Sequence, residues 1–342
     1  MKTKPEVCSC SDITVSRREF IKTTLAGTAI AAVGSAAVLG PASARAATAA
    51  NSKPETLVTT LYKSLSEQQR KDVAYPFDHP LRSKVDNNWH INEKTVADFF
   101  NKDQQQMIRE IFLGLHSPEY ADQVLKQVEH DNKGDGGFGG CSIALFGEPG
   151  TGKFEFVFTG RHVTRRCDGD SIEGAAFGGP IFYGHAFESF NEKPTHPGNI
   201  YWYQAVRANA VFAALGDKQR EAALLGDPRK EKGNDTVKLT GKKRGLEGIP
   251  LADLSHDQRE LVRKVMTDVL APFRKADADE AMKLVEANGF NNLHMAFFKN
   301  LDVGDDGVWD VWQIEGPAMI WYFRGHPHVH TWVHIRREAA IA

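Results

Sequence analysis

The segment Gly325-His326-Pro327-His328-Val329-His330-Thr331-Trp332-Val333-His334-Ile335 decides how the chain is read. Taken as a strand that begins after Pro327, it alternates without a break. Val329, Thr331, Val333 and Ile335 fall on one face, and His328, His330, Trp332 and His334 fall on the other. The first face is β-branched and suits a core. The second is a polar site walled by an indole. Residues i and i+2 of a strand lie about 7 Å apart on one face. Two imidazoles at that spacing can lean onto one metal ion, with zinc–nitrogen bonds of about 2 Å. The competing reading is a half-exposed strand rich in histidine, or histidines bonded to carboxylates. If His328 and His330 pointed to opposite faces, any metal reading would end.

Working outward, the rest of the C-terminal block also reads as strand. Residues 293–298 read as a strand, Asp305-Asp306-Gly307 supplies a turn, and 308–314 run back as a hairpin partner. Residues 317–323 then lead through a turn at Arg324-Gly325 into the histidine strand. A second hairpin lies mid-chain, 142–146 and 154–158 about a turn at 148–152. Its second strand is expected to run on through Gly160-Arg161-His162-Val163-Thr164, where parity would put His162 and Cys167 on opposite faces. Residues 177–185 read as a further strand. Gly147-Glu148-Pro149-Gly150-Thr151-Gly152-Lys153 imitates a phosphate-binding loop, but Phe154 stands where a magnesium-holding Ser/Thr is required. A strand follows it rather than a helix N-terminus, so the segment is a turn.

Helical spacing marks 54–73 (with a restart inside Ser64 to Arg70), 95–115, and a helix from Ser117-Pro118 to about 129 with serine as N-cap. Further helices are expected at 201–215, 217–225, 251–273 and 277–287, the last stopped by Asn288-Gly289. Residues 227–248 are polar and Lys/Gly-rich, and read as irregular, with Lys242-Lys243-Arg244 as a solvated cluster. The expected fold is α+β: a single domain over 54–338, its helices packed on one antiparallel sheet formed by the central hairpin and the C-terminal strands.

The N-terminus is of another kind. Ser16-Arg17-Arg18-Glu19-Phe20-Ile21-Lys22 precedes an Ala/Gly-rich apolar run, and small-residue sites follow at Ala42-Ser43-Ala44 and Ala44-Arg45-Ala46. That order marks a cleaved export signal over 1–46, and the paired arginines mark the twin-arginine route. The run is too short and too weakly apolar to span a membrane comfortably, so no stable membrane span is expected after cleavage. The expected location is periplasmic or secreted, with the twin-arginine machinery as a partner and 47–53 as a flexible leader. Of 42 Lys+Arg and 44 Asp+Glu, six and three lie in 1–46, leaving 36 and 41 and a formal charge of −5. Nothing in that balance favours nucleic acid. Cys8 and Cys10 leave with the signal; Cys141 and Cys167 remain, in a compartment that permits one disulfide.

The order of short motifs resembles a bacterial family, the domain-of-unknown-function 3500 family. The matching pieces are Leu65-Ser66-Glu67-Gln68-Gln69-Arg70, Pro76-Phe77-Asp78, Trp89-His90, and Phe156-Val157-Phe158-Thr159-Gly160-Arg161-His162. Pro180-Ile181-Phe182-Tyr183-Gly184, His294-Met295-Ala296-Phe297, Ile314-Glu315-Gly316-Pro317 and His328-Val329-His330-Thr331-Trp332 follow in order. The resemblance implies export and a shared histidine-rich site at His162, His294, His328 and His330, but no activity. The chain departs from the family pattern at Arg161, where a second histidine is common, at Trp321, where an acid is common, and in the additional His326 and His334.

The metal-ligand candidates are therefore His328 and His330, with His162 third and His294 outside them. Three histidines and an open position are what a catalytic zinc, copper or iron ion needs. Glu315 is a candidate general base or ring-orienting group and Arg161 a candidate for positioning an anionic small-molecule substrate. Trp309, Trp312, Trp321, Tyr322 and Trp332 line either a pocket or the core. No Gly-x-Ser-x-Gly elbow, His-Glu-x-x-His helix, haem motif or tandem Cys-x-x-Cys supports another chemistry. The leading expectation is an exported metalloenzyme in which one transition metal activates water or oxygen. The alternatives are a copper or zinc storage or delivery protein, and a metal-free interaction module.

Overall fold

The computed structural model describes residues 53–186, 196, 198–301 and 308–339. The expected signal, Cys8, Cys10, almost all of the leader and the 305–307 turn lie outside the described residues.

Helix boundaries follow reciprocal caps. Helices α1 (Pro54–Ser64) and α2 (Glu67–Val73) meet at Ser66. The Ser66 hydroxyl accepts the Gln69 N–H at 3.1 Å, and the Gln69 side chain accepts the Ser66 N–H at 3.0 Å, which is the expected restart. The same device at Asn101 and Gln104 corrects the continuous helix expected over 95–115. Extended backbone at Phe100 and Asn101 splits it into α3 (Val96–Phe99) and α4 (Lys102–Gly114). The start expected at Ser117-Pro118 is also corrected: Ser117 to Tyr120 closes a turn, its carbonyl accepting the Tyr120 N–H at 3.0 Å, and α5 spans Ala121–Asp131. Helices α6 (Tyr203–Ala213), α7 (Asp217–Ala223), α8 (His256–Leu270) and α9 (Lys275–Asn288) complete the described set. None of the described helices is long and apolar enough to cross a membrane.

The strands are β1 (Ala74–Tyr75), β2 (Ser142–Gly147), β3 (Phe154–Gly160), β4 (Val163–Cys167), β5 (Ile181–His185), β6 (Leu224–Leu225), β7 (Ile249–Pro250), β8 (His294–Phe298), β9 (Val311–Gly316), β10 (Met319–Arg324) and β11 (Val329–Ile335). They form one mixed sheet ordered β1-β2-β3-β4-β5-β11-β10-β9-β8-β6, with β7 on β8. Only the short outer pairs β1–β2 and β6–β8 are parallel. The protein is α+β with a mostly antiparallel sheet, as the alternation predicts.

The histidine strand is the seam of this sheet. It pairs antiparallel with β5 on one side and β10 on the other, so it joins the mid-chain hairpins to the C-terminal ones. Its two faces divide as the sequence predicts. Val329, Val333 and Ile335 enter the core shared with the helices, each at most 1% exposed. Such burial contributes roughly 1.5–3 kcal/mol per side chain. Trp332 lies on the opposite face, in a smaller core with Phe182, Tyr322 and Val237. Among the described residues, that second face is covered by the loops around Val85, Trp89 and Ile91 and by the segment around Val237.

One strand reading fails where it matters. The strand expected to continue through Arg161 and His162 instead reverses there, because β3 ends at Gly160 and β4 begins at Val163. His162 takes left-handed backbone (φ 58°), so the parity argument relating it to Cys167 does not apply. Cys141 and Cys167 are both buried free thiols. Lys242, Lys243 and Arg244 are exposed, as expected.

Candidate metal centre

His162 is delivered by a clamped turn. The α5 helix ends at Asp131, and the next residue, Asn132, holds the turn through both of its amide atoms. Its Nδ2 donates to the Arg161 carbonyl at 3.1 Å, and its Oδ1 accepts the Arg161 N–H at 2.8 Å. From the other side, the His162 N–H donates to the Asn87 carbonyl at 2.8 Å. The left-handed residue is thus fixed by two elements, the pattern expected where backbone strain is retained for a site.

The ring lands against the histidine strand. His162 Nε2 lies 2.9 Å from His328 Nε2, which lies 2.8 Å from His330 Nε2. His328 and His330 share a face, as their spacing requires. The three residues are 4%, 7% and 3% exposed and form a group able to hold a metal ion.

The opposite ring nitrogens fix the protonation. His162 Nδ1 meets Asp131 Oδ2 at 2.6 Å, and His330 Nδ1 meets Glu231 Oε2 at 2.7 Å. A carboxylate there takes the ring N–H and leaves the Nε2 lone pair facing inward. Burial pushes the Asp131 carboxyl up, but hydrogen bonds from His162 and Gln127 outweigh it and hold the group below its ordinary range. The Gln127 bond is 3.0 Å long. Burial raises Glu231, opposed by the Arg324 cation and by the Trp332 indole N–H, which donates to Oε1 at 2.8 Å. Burial also disfavours the imidazolium at all three rings. His162 is lowered despite Asp131, His330 is lowered further with help from Arg324, and His328 is pushed down to about 2 by burial and its two imidazole neighbours.

Three neutral imidazoles with converging Nε2 atoms leave a chemical problem. His328 Nε2 carries at most one proton and can donate it to only one neighbour, so at least one of its two contacts brings nitrogens together without a donated hydrogen bond. A cation at the centre removes the conflict. Donors in a tetrahedral shell with bonds of about 2.05 Å sit roughly 3.3 Å apart, so the two His328 contacts would lengthen by about half an ångström to admit one. The donor set fits a transition ion, and two of its rings already carry the carboxylate partners that such ligands use.

Neighbouring residues shape the rest. Arg324 is the cross-strand partner of His330 on β10 and lies on the same face. Its Nη2 is 3.1 Å from Glu231 Oε2 and also contacts His330 Nδ1. An N–H donor and a carboxylate cannot both use one Nδ1, and the Arg324–Glu231 ion pair accounts for their shared approach. Gly184 is the partner of His330 on β5 and leaves that position without a side chain. A Cβ there would stand 2.1 Å from the Val329 carbonyl oxygen, so the backbone approach requires glycine. Arg161 is close enough for its cation to lower both His162 and His330.

Two sequence candidates lie elsewhere. His294 pairs with Glu315 across β8–β9, and its Nδ1 approaches the Gly248 carbonyl at 3.3 Å. Both lie in the register row of His334, two and three strands from β11. At sheet spacings Glu315 is about 17 Å and His294 about 20 Å from His330. The structure thus places His294 away from the triad, and Glu315 forms an ion pair with Arg229 at 2.7 Å. His334 Nδ1 contacts the Val237 carbonyl at 3.0 Å, and burial pushes its ring down to about 4. Trp321 faces the helix-side core, opposite the histidines, so its departure from the family pattern leaves the triad untouched. Trp312 shares that core with Trp321, Trp309 packs against it and Tyr322 lies in the smaller one. Of these aromatics, Trp332 bonds directly to Glu231.

Asp131 and Glu231 were not legible as site residues. Asp131 is an unremarkable helix-terminal acid. Glu231 sits in Arg229-Lys230-Glu231-Lys232, a charge run that reads as solvated. Its segment is instead tied down, with Arg229 donating to Gln313 at 2.8 Å and to the Thr236 carbonyl at 2.9 Å.

No curated protein and no solved structure matches the chain. One family model does, over residues 48–338, and its span carries the triad, both supporting carboxylates and every described strand. The chain belongs to the family described as protein of unknown function (DUF3500).

Proposed function

We propose that the protein is an exported metalloenzyme that holds one transition metal ion through His162, His328 and His330, with a further coordination position open. The observation that carries this reading is the convergence of three buried Nε2 atoms, two of them on rings whose Nδ1 is bonded to a carboxylate. A bound zinc, copper or iron ion would supply a Lewis acid or redox centre that activates water or oxygen, or polarises a substrate carbonyl. The chain's own residues orient the rings through Asp131 and Glu231, and the covering loops shield the centre from bulk water. The twin-arginine pattern supports export after folding, with the ion already in place.

Storage or delivery of metal receives less support. His334 is engaged with a backbone carbonyl rather than joined to a loading patch. Reaction class stays open between hydrolytic and oxidative chemistry, because imidazole donors serve both.

The test is elemental analysis of the protein purified from its own export route, beside a His328→Ala/His330→Ala variant. About one equivalent of a transition metal in the parent, lost in the variant, is expected. No metal in either protein, with both folded, would overturn the reading.

A further inference from the structure

The charges around the triad select the kind of molecule that completes it. The three imidazoles are neutral, and the Asp131 and Glu231 carboxylates are engaged by His162 and His330. Arg324, across the ladder from His330, places a guanidinium beside the rings. With Arg324 alone counted against the two carboxylates, an added divalent ion leaves positive charge in excess of negative. The Arg324 donors are unevenly used. Nη1 donates to the His326 carbonyl at 3.2 Å and Nη2 is held by Glu231, while the buried Nε has no hydrogen-bond partner among the described residues. A buried guanidinium N–H without an acceptor calls for one.

We infer that the open position takes a small carboxylate or comparable oxyanion, bound to the ion by one oxygen and assisted by Arg324. This rests on the metal reading above. A guanidinium matches a carboxylate in shape and charge, which a neutral amide does not. Access is consistent with a small molecule. A cleft of about 390 Å³ runs between the loop of Lys84 and Asn87 and the segment of Glu231 and Lys232. Its walls include the residue whose carbonyl holds the His162 amide and the residue whose carboxylate holds the His330 ring. Gly184 keeps the position beside His330 free of a side chain.

The test uses the mature protein loaded with cobalt(II), whose visible spectrum reports both the ligands and any change at the open position. Acetate and acetamide, equal in shape and different in charge, are the probes. Acetate should perturb the spectrum at a concentration about tenfold or more below that of acetamide. Arg324→Gln should raise the acetate requirement about tenfold while leaving acetamide little changed, and Arg324→Lys should recover part of the preference. Cobalt bound with equal responses to both probes, or a preference indifferent to Arg324, would overturn the anion inference and leave the metal reading standing. Failure to take up cobalt would overturn the metal reading and this inference with it.

Discussion

The Nε2 atoms of His162 and His328 lie 2.9 Å apart, although 166 positions separate the two residues in the chain. The contact exists because β11 pairs with β5, β5 pairs with β4, and the turn before β4 presents His162 at the same end of the sheet. The site is therefore assembled only when the two halves of the sheet close on the histidine strand.

If that assembly binds an ion, metal and fold are linked. An ion at a hundred times its dissociation constant adds about 2.7 kcal/mol to stability. Chelation should lower the melting temperature by roughly 4–5 °C for a chain of this size. The His328→Ala/His330→Ala variant should not respond to chelator or added ion. Calorimetry with and without chelator checks both.

The carboxylates behind the rings should matter for affinity more than for folding. Asp131→Asn and Glu231→Gln are expected to weaken metal binding about 10–100-fold with an unchanged circular dichroism spectrum. Competition with a chromophoric chelator measures this. Affinities equal to the parent would show that the rings hold their orientation without these partners.

His162 offers a separate handle on strain. Left-handed backbone costs a non-glycine residue roughly 1–2 kcal/mol, and the bond to Asp131 offsets a comparable amount. His162→Gly should therefore leave the metal-free protein within about 1 kcal/mol of the parent while abolishing metal-dependent stabilisation. Urea unfolding in chelator, then with added ion, separates the two effects.

A distant group predicts a pH dependence. Burial pushes the Asp168 carboxyl up to about 7, with Glu155 and Glu280 adding to it and the Ile172 N–H opposing. Between the ordinary carboxylate range and pH 7 the native state holds a proton that the unfolded state has released, so stability falls as pH rises through that window. Asp168→Asn removes this loss. Its stability relative to the parent should grow from pH 4 to pH 7 and then level off, measured by urea unfolding in chelator. A constant difference across that range would contradict the assignment.

The two thiols should be inert while the protein is folded. Burial raises the Cys141 and Cys167 thiols above their ordinary range, and they are not joined to each other. A thiol reagent should titrate both rapidly in denaturant and neither rapidly in native buffer. Their absence from the denatured titration would reveal an oxidised pair.

Much of the frame was legible because it is local. The alternation of Val329 to Ile335 specifies a strand with a core face and a histidine face, and Ser66 with Gln69 announces a helix start. Asn101 with Gln104 carries the same signal, masked by apolar spacing that continues across the break. The turn at His162 was hidden by β-rich sequence on both sides, with Gly160 as the only local mark. Asp131 and Glu231 depend on tertiary closure, since nothing near either residue distinguishes it from a solvated acid. The resemblance to a family names both His162, which the structure places against His328, and His294, which it places three strands from β11, because shared motifs do not report which strands become neighbours.

X-ray absorption spectroscopy of the metal-loaded protein tests the three-histidine centre most directly. A first shell containing three imidazole nitrogens at about 2.0–2.1 Å for zinc is expected, with the outer-ring scattering of histidine, reduced to two in His162→Ala. A shell of oxygen donors, or an imidazole count unchanged by loss of His162, would contradict it.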